Sequence, residues 1–400
     1  MFICKGAKKC EDCGLTSIYH LQTWLEGLIN QFTPFWLLKI LPKKFQEFFN
    51  VLLEKIFIFL KLTSLKEDFN YSDIQPRSAC FIKEAKKYGI EFKAIYGPFG
   101  YTSYFQAKFK NKSFHFDSLP VVDFLNKYPS QIIDDKKLAK QYLKKGNFPV
   151  AEGKAFWFWQ KRKAINYGAN KPGFPLVVKP RDGSVSRHVT TDIRNVQQLK
   201  QAINKAISYS PSFIVEKFIP DTFVFRATVI DFDFVACVKQ IPANVIGDGL
   251  HTIRELIDIK NSKFNFYKIV ENETTKELLK DKGYDFSSIP KKGEMVYLQK
   301  DPFLKLGGDL IEVTDYLHLD NLQLFRDIAR FFDIRVVGID FLAQDISVSW
   351  KSQTAAVLEL NSAPCIEMHH FPSSGKPQNV AASLVNLVFR YYLCQVVKTR

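Results

Sequence analysis

The stretch FPLVVKPRDGSVSRHVTTDI, residues Phe174–Ile193, places one lysine inside an apolar strand and follows it with a turn and a second strand. The pattern predicts that Lys179 packs its aliphatic stem among apolar neighbours and carries its ammonium group into a cleft. Backbone amides and hydroxyls of Gly183, Ser184 and Ser186 can face an anion beside it. These features favour a phosphate-binding clamp. A solvated lysine in a strand is the alternative.

The chain around this stretch has the composition of a folded, enzyme-sized protein. Its 400 residues are 46% apolar and 24% charged, which predicts a large core divided into two or three lobes. The net charge of +15 is spread in lysine pairs without a long basic block, so charge alone does not select nucleic acid, anionic lipid or a phosphorylated ligand. Seven cysteines do not suggest a disulfide framework, and no secretory leader is visible. We therefore expect a cytoplasmic protein.

The N-terminal region, residues 1–75, reads as a helical extension. Between residues 18 and 66 the apolar residues recur at helical spacing on both sides of Pro42, with lysines between them. The apolar runs are shorter than the roughly 20 residues that span a bilayer. An extension packed on the rest of the protein is the simpler interpretation, and a helix lying in a membrane surface is the more specific alternative.

Four polar residues near the N terminus leave a second alternative open. They are Cys4, Cys10, Cys13 and His20. A small zinc site and three free thiols beside an unrelated histidine both fit, because the spacing matches no established zinc motif.

The remaining chain predicts a mixed α/β (α+β) fold rich in antiparallel sheet. Strands are expected at about 174–179, 185–193, 213–218, 224–230 and 233–239, with helices near 194–208 and 320–332. In IIDDKKLAKQYLKKGNFPV, Asp134 is the predicted N-cap of a helix that Gly146 ends. The expected division is a helical extension, a small α/β lobe over 76–133, a lid subdomain over 134–212 and a C-terminal subdomain over 213–400.

Two apolar segments near the C terminus carry three oxygen-bearing side chains. Asp340 lies in GIDF, and Glu359 and Asn361 lie two residues apart in LELN. Alternation along a strand puts the last two on one face. Two carboxylates and an amide are suitable ligands for Mg²⁺ when phosphate oxygens complete its coordination shell. The set predicts a metal site, and a solvated sheet edge is the alternative.

In chain order, the lysine, the Gly/Ser turn, a strand ending in Glu216 and the Asp…Glu-x-Asn set resemble the ATP-grasp ligases. The sequence resembles more closely the ATP-grasp domain of cyanophycin synthetases and of related bacterial glutathione-forming enzymes. The resemblance covers about residues 130–390. It depends most on IPANVIGDGLHTIRELI, GGDLIEVTDYLHLDN, GIDF, LELNSAP and MHHFPSSGKPQNVA.

The resemblance implies an ATP-grasp fold in which ATP lies between two antiparallel-rich α+β subdomains. It assigns Lys136, with Lys140, and Lys179 to the ATP phosphates, and Arg226 to the same phosphates. It implies that Glu216 holds adenine, together with the backbone of Lys217 and Ile219. It also implies that Asp340, Glu359 and Asn361 hold Mg²⁺ or Mn²⁺. Arg226 and Lys179 are then the catalytic cations.

The implied reaction joins a carboxylate to an amine through an acyl phosphate, on an amino acid, a short peptide or a protein terminus. No protein nucleophile is needed, so Cys237 and Cys365 are interpreted as packing residues and His369 as a loop residue. The turn Ser373, Ser374, Gly375 and Lys376 suits a substrate carboxylate, and a structural turn is the alternative. A non-catalytic nucleotide-binding scaffold on a membrane surface is the alternative function. No nucleic acid partner is expected, and a homodimer is compatible with the sequence.

Several positions depart from the pattern of the family. Arg187 and His188 stand where bare glycine backbone is usual in the lid. An acidic residue for the ribose is missing near Phe223, with Asp221 as a substitute, and KQIPA leaves Lys239 where RREPA is usual. Phe303 and Lys305 replace the Asn and Ser that precede the paired glycines. We therefore expect retained ATP chemistry on a different substrate.

Overall fold

The computed structural model describes residues 17–32, 63–97, 100–182, 187–263, 268–302 and 306–393. The predicted helices around Pro42 and the cysteines at 4, 10 and 13 lie outside these residues. So do Gly183, Ser184, Phe303 and Lys305. Within the described ranges, no helix is both long enough and apolar enough to cross a membrane. One N-terminal helix, Ser17–Phe32, precedes the first lobe.

The first lobe is a four-stranded antiparallel sheet packed against a helix, Pro76–Lys86. Phe81 and Ile82 of this helix are fully buried. The C-terminal helix Val380–Val388 contributes Leu384 to the same hydrophobic core, so segments far apart in the sequence fold together. The strands, in sheet order, are Ser64–Lys66, Glu91–Gly97, Gly100–Phe109 and Lys112–Asp117.

The second lobe, called the lid here, is a four-stranded antiparallel sheet with helices Lys161–Asn170 and Val196–Ile207. The second helix begins because the Asn195 side chain accepts from the Gln198 amide, and Leu199 and Ile203 bury its apolar face. The strands, in sheet order, are Gly153–Trp157, Ser212–Lys217, Leu176–Pro180 and Thr190–Ile193. The last of these is shorter than the predicted 185–193.

The third lobe contains a five-stranded antiparallel sheet, called the central sheet. Helix Leu319–Phe332 covers one face, where the Phe325 and Phe341 rings meet edge to face with centroids 5.3 Å apart. On the opposite face, Asp340 lines a cavity that the lid also lines, whereas Ile230 and Val336 pack against the first lobe. The strands, in sheet order, are Asp309–Glu312, Phe234–Ile241, Phe223–Ile230, Val336–Ala343 and Ala356–Asn361.

A small unit is inserted in the third lobe. It pairs strands Asn244–Ile246 and Met295–Tyr297 and packs them against helices Ile253–Lys263 and Glu273–Asp281. The remaining regular elements are short. They are the helices Ser130–Asp134, Lys136–Lys145 and Glu367–His370, the 3₁₀ turns Asp123–Leu125, Phe158–Gln160, Thr314–Tyr316 and Trp350–Ser352, and a π-helical end at Phe389–Leu393.

The helix Lys136–Lys145 corrects one prediction. Its N-cap is Asp135, whose Oδ1 accepts from the amides of Lys137 and Leu138. Asp134, the predicted cap, ends the preceding short helix and accepts instead from the Ser362 amide and hydroxyl. The chain bends between the two acids, so only the second can reach the free amides of the new helix. The predicted end at Gly146 is confirmed.

Candidate active site

The lid and the central sheet enclose a cavity of about 560 Å³, and the small unit forms a third wall. Seven of the residues predicted for nucleotide or metal line this cavity: Lys136, Lys179, Glu216, Lys217, Ile219, Asp340 and Glu359. They come from a helix and four strands or strand ends that are distant in the sequence. The fold therefore gathers most of the predicted residues at one place.

Lys179 does project from its strand into this site, where it meets Glu216 and Lys140. Its Nζ lies 2.5 Å from Glu216 Oε1, and Lys140 bonds the other carboxylate oxygen. All three side chains are buried. Burial by itself would raise the pKa of Glu216, but the two ammonium groups lower it to about 2. Burial also lowers the pKa of Lys140. Glu216 thus carries a charge that holds both lysines at the cavity wall.

Lys136 begins the helix that also carries Lys140, four residues later and on the same face. Its Nζ lies 3.5 Å from Glu359 Oε2, which joins the predicted phosphate lysine to the predicted metal site. The helix start is fixed to the lid because Arg181 Nη2 lies 2.5 Å from Asp135 Oδ2. Sequence analysis missed this ion pair. The adjacent acids Asp134 and Asp135 were the available sign of an ion pair in the sequence, but only the fold shows that Arg181 contacts Asp135.

Asp340, Arg226 and Glu359 occupy matching positions on three neighbouring strands of the central sheet. The Arg226 guanidinium bonds both oxygens of Asp340, with Nη2 2.8 Å from Oδ2. Burial raises the pKa of Asp340 to about 6, against the opposing effect of Arg226. Burial would also raise the pKa of Glu359, but Lys136, Lys179 and Arg226 lower it to about 2. The two carboxylates therefore differ in how readily they take up a proton.

The predicted metal ligands share one face, as the alternation required. Asn361 pairs with Gly338, two residues from the Asp340–Glu359 pair. Its Nδ2 is buried without a hydrogen-bond partner among the described residues, so this N–H group is available to donate to an acceptor oxygen. No group of three or more His, Cys, Asp or Glu residues forms a metal site in the described part of the chain. Two carboxylates and an amide fit a hard cation that takes its remaining oxygens from water and phosphate.

The segment that follows Glu216 forms another part of the cavity lining. Lys217 turns its ammonium away from the cavity and donates to the carbonyls of Gly173 and Phe174, at 3.1 and 2.8 Å. Phe223 lines the cavity, and the Lys239 Nζ lies 3.2 Å from the centre of its ring. Asp221, the predicted substitute for the ribose acid, also lines the cavity. The nucleotide roles of these residues remain predictions.

The turn predicted for a substrate carboxylate lies along the outer strand Asp309–Glu312. Ser373 Oγ accepts from the Leu310 amide, and the Ser374 carbonyl accepts from the Glu312 amide. Gly375 has φ +91°, and a Cβ there would lie 2.7 Å from the Glu312 carbonyl oxygen. Neither this turn nor Lys376 lines the 560 Å³ cavity. Its contacts are those of a structural turn, and its substrate role remains a prediction.

The remaining candidate residues are buried. The prediction that His369 lies in a loop is wrong. His369 lies in the short helix Glu367–His370 and is fully buried, and its Nε2 lies 2.9 Å from Thr228 Oγ1. Cys237 is fully buried, as predicted for a packing residue. Burial raises the pKa of the half-buried Cys365 to about 11, which keeps it a thiol.

Sequence analysis did not identify the third wall of the cavity. The small unit and the segment after it supply Lys282, Lys300 and Asp301, and Thr191 Oγ1 of the lid lies 3.2 Å from Asp301 Oδ1. Burial raises the pKa of Asp301. These residues lie in a lysine-rich segment whose pattern gives no sign that it folds back over the lid.

The geometry can be compared with known proteins. No family model matches the sequence. A cyanophycin synthetase of Trichormus variabilis is 30% identical over 337 residues, which cover 82% of this chain and 36% of the relative. One from Synechocystis is 35% identical over 266 residues, covering 64% and 30%. The glutathione biosynthesis bifunctional protein GshAB of Enterococcus faecalis is 28% identical over 271 residues, covering 64% and 35%.

A solved structure shows the same fold. The bifunctional glutathione synthetase of Pasteurella multocida superposes with a TM-score of 0.59 at 22% identity, over 80% of this chain and 45% of that one. The ATP-grasp fold and the resemblance to the cyanophycin synthetases and GshAB are thereby confirmed. The chain spans about a third of the length of the curated relatives that it matches.

Proposed function

We propose that this chain is a cytoplasmic, ATP- and Mg²⁺-dependent ligase that joins a carboxylate to an amine, forming an amide or peptide bond on an amino acid, a short peptide or a protein terminus. The observation that carries the proposal is that Lys136 and Lys179 line one cavity together with Asp340 and Glu359, with the Lys136 Nζ 3.5 Å from Glu359 Oε2. A second support is the similarity of the sequence to ligases that form carbon–nitrogen bonds.

The charges around the cavity suit a polyphosphate. Lys136 and Lys179 line the cavity, and Lys140 and Arg226 pair with carboxylates that line it, so four cations lie at or directly behind its wall. A carboxylate ion pair on each cation holds it in place, so less reorganisation is needed when phosphate arrives.

The proposed reaction has two transfers. A carboxylate oxygen of the substrate attacks the γ-phosphorus of ATP, and the bond from that phosphorus to the ADP oxygen breaks. The amine nitrogen then attacks the carbonyl carbon of the acyl phosphate, the bond to the phosphate oxygen breaks, and the amine loses a proton to solvent. Lys179 and Lys136 would hold the phosphates in line, and Arg226 would orient Asp340.

The metal requirement follows from the oxygen ligands. Asp340, Glu359 and Asn361 would hold Mg²⁺ or Mn²⁺ through their side-chain oxygens. The buried Asn361 Nδ2, which has no partner among the described residues, would donate to an oxygen of the bound phosphate or of water. A divalent ion bound there supplies charge neutralisation on the transferring phosphoryl group. The amino acid, peptide or protein substrate is left to be identified by experiment.

The test is phosphate release from ATP and Mg²⁺ by the purified chain, screened against pools of amino acids and dipeptides. Phosphate release is expected only when the pool that contains the substrate is present. The Lys179→Ala substitution should abolish this release. Lys154→Ala is the matched control, because Lys154 is an exposed lysine in the neighbouring part of the lid sheet.

Two other outcomes separate the alternatives. Wild-type chain that binds ATP but releases no phosphate with any pool would contradict a small-molecule substrate and leave a protein terminus or the non-catalytic scaffold. Chain that binds no ATP at any Mg²⁺ concentration would contradict the proposed function itself.

A further inference from the structure

Two buried glutamines line the cavity where the central sheet meets the small unit. Gln240 lies near the end of strand Phe234–Ile241 and is 9% exposed, and Gln299 follows strand Met295–Tyr297 and is 5% exposed. Both side chains belong to the cavity lining. Glutamine is mostly found at the protein surface, so two buried glutamines in one cavity indicate a polar task inside it.

The backbone brings the two glutamines together. The Leu298 amide donates to the Ala243 carbonyl at 2.7 Å, which continues the antiparallel pairing of the two strands of the small unit. Gln299 therefore lies beside Pro242, which is two residues from Gln240. The two side chains form one patch of the cavity, called the amide wall, which consists of Gln240 and Gln299.

The protein satisfies only part of the hydrogen-bonding capacity of the amide wall. Gln299 Nε2 donates to Thr275 Oγ1 at 3.1 Å, and no described group donates to its Oε1. The Gln240 side chain makes no hydrogen bond with any described residue. Buried amides normally have partners. Two carbonyl oxygens and the Gln240 NH₂ group are therefore available to a molecule in the cavity.

The amide wall lies close to the candidate metal and phosphate residues. Val238, two residues before Gln240, pairs with Arg226, and Arg226 pairs with Asp340. Alternation along the strand puts Gln240 on the same face of the central sheet as Arg226 and Asp340, about 7 Å further along. A substrate that presents a carboxylate beside Asp340 therefore has its neighbouring groups within reach of the amide wall.

The amide wall is uncharged. Gln240 is the second residue of KQIPA, at a position where the related sequences carry arginine in RREPA. Tyr297, two residues before Gln299, also lines the cavity and adds no charge, whereas the lining residues Lys282 and Lys300 are exposed. An arginine selects an anion, whereas an amide pairs best with a group that has both an N–H and a C=O.

We propose that the amide wall recognises a peptide group of the substrate, so that the chain acts on a peptide or a protein terminus and not on a free amino acid. This inference rests on the proposed function and narrows its substrate class. The peptide N–H would donate to Gln299 Oε1, and the peptide C=O would accept from the Gln240 NH₂ group. A carboxylate has no N–H and would leave Gln299 Oε1 without a donor, which selects against it.

The test compares the wild-type chain with Gln240→Met and Gln299→Met, because methionine keeps the side-chain length and removes the amide. Gln323→Met, at an exposed residue outside the cavity, is the control. Phosphate release from ATP and Mg²⁺ is measured with a pool of dipeptides and with a pool of the same amino acids in free form. Release by the wild-type chain should be at least about tenfold greater with the dipeptides.

Each of the two cavity variants should lower kcat/KM for the dipeptides about tenfold to 100-fold and change the KM for ATP less than about twofold. The control should change neither quantity. Because the two substitutions are tested separately, one folded variant is sufficient.

Equal release with free amino acids, or an unchanged kcat/KM for dipeptides in the cavity variants, would overturn the proposal. A KM for ATP that rises as much as the dipeptide kcat/KM falls would assign the amide wall to the nucleotide and also overturn it. If the wild-type chain releases no phosphate with either pool, dipeptide binding is measured by ligand-observed NMR with ADP and Mg²⁺ present. Binding that the cavity variants abolish would support the amide wall although the proposed ligase activity fails, and absence of binding to the wild-type chain would overturn the proposal.

Discussion

At the scale of single residues, charge pairing determines the character of the site. Glu216 binds two lysines, and Asp340 binds one arginine, so each buried charge has an opposite partner. A buried ion pair contributes little relative to an apolar pair, but removing one partner leaves an uncompensated charge and is costly. Changes at these residues are therefore expected to affect stability as well as ligand binding.

Glu216→Gln should destabilise the fold by about 3 kcal/mol at pH 7, because two buried lysines lose their shared carboxylate. The pKa of Glu216 is lowered to about 2 in the folded chain from 4.5 in the unfolded one. This contribution is therefore complete above pH 4.5 and is lost as the pH falls towards 2. Urea unfolding at pH 7 and at pH 3 measures the difference.

The matched control for this prediction is Glu91→Gln, at an exposed strand residue. It should change stability by less than about 0.5 kcal/mol at either pH. A Glu216→Gln penalty that is as large at pH 3 as at pH 7 would contradict the charge-pair explanation and point to lost packing.

Glu359→Gln should reduce substrate-dependent phosphate release at least about 100-fold, because it removes one negative charge from the proposed metal site while keeping the shape. ATP binding in the absence of metal should change little. Steady-state phosphate release at saturating Mg²⁺ measures the effect, with the exposed residue change Glu277→Gln as control. Full turnover in the Glu359→Gln variant would contradict the assignment of Glu359 as a metal ligand.

At the scale of elements, helix Lys136–Lys145 positions two lysines of the candidate site, Lys136 and Lys140. Asp135 performs two tasks at its start: it accepts from two helix amides and pairs with Arg181 of the lid. A cap fixes the first turn of a helix, so it also fixes where Lys136 stands. The ion pair extends this restraint to the strand end that carries Lys179.

Asp135→Ala should cost about 1–3 kcal/mol of stability and raise the KM for ATP, because the first turn and its lysine lose both restraints. Asn195→Ala is the matched control, since Asn195 caps helix Val196–Ile207 without an ion pair. It should cost about 1 kcal/mol and leave the KM unchanged. Thermal unfolding and phosphate-release kinetics measure both variants. Equal KM values in the two variants would contradict a role for the cap in the site.

At the scale of the whole molecule, the C-terminal helices share one core with the first lobe. The C-terminal helix Val380–Val388 packs with the first lobe, and the same cluster includes Ile230 and Val336 of the central sheet. The first lobe is therefore joined to the central sheet by buried apolar contacts. Unfolding of one should promote unfolding of the other.

Leu384→Ala should destabilise the chain by about 2–5 kcal/mol, since Leu384 is fully buried at this junction. Hydrogen exchange should rise together in the helix Pro76–Lys86 and in strand Phe223–Ile230, because the helix that carries Leu384 packs against both. Val196→Ala, at a surface residue that is 39% exposed, is the control. A rise confined to one of the two elements would show that the lobes unfold independently.

Much of the architecture could be predicted from the sequence. Apolar runs on either side of a turn predicted the strands around Lys179, and the two-residue spacing of Glu359 and Asn361 predicted that these two side chains share one face. Local pattern sufficed there because strand geometry alone decides which side chains face the same way. Resemblance to a known family added the order of the pieces and the identity of the nucleotide lysines.

Other features were decided only when distant segments came together. Sequence could not choose between Asp134 and Asp135 as the helix cap, because both acids suit the position and only the bend of the chain selects one. It could not show that Lys140 pairs with Glu216, 76 residues away, or that His20 packs on His188. Local geometry determines which side chains share a face, whereas their partners depend on contacts between segments far apart in the chain. The tertiary structure alone brings those segments together.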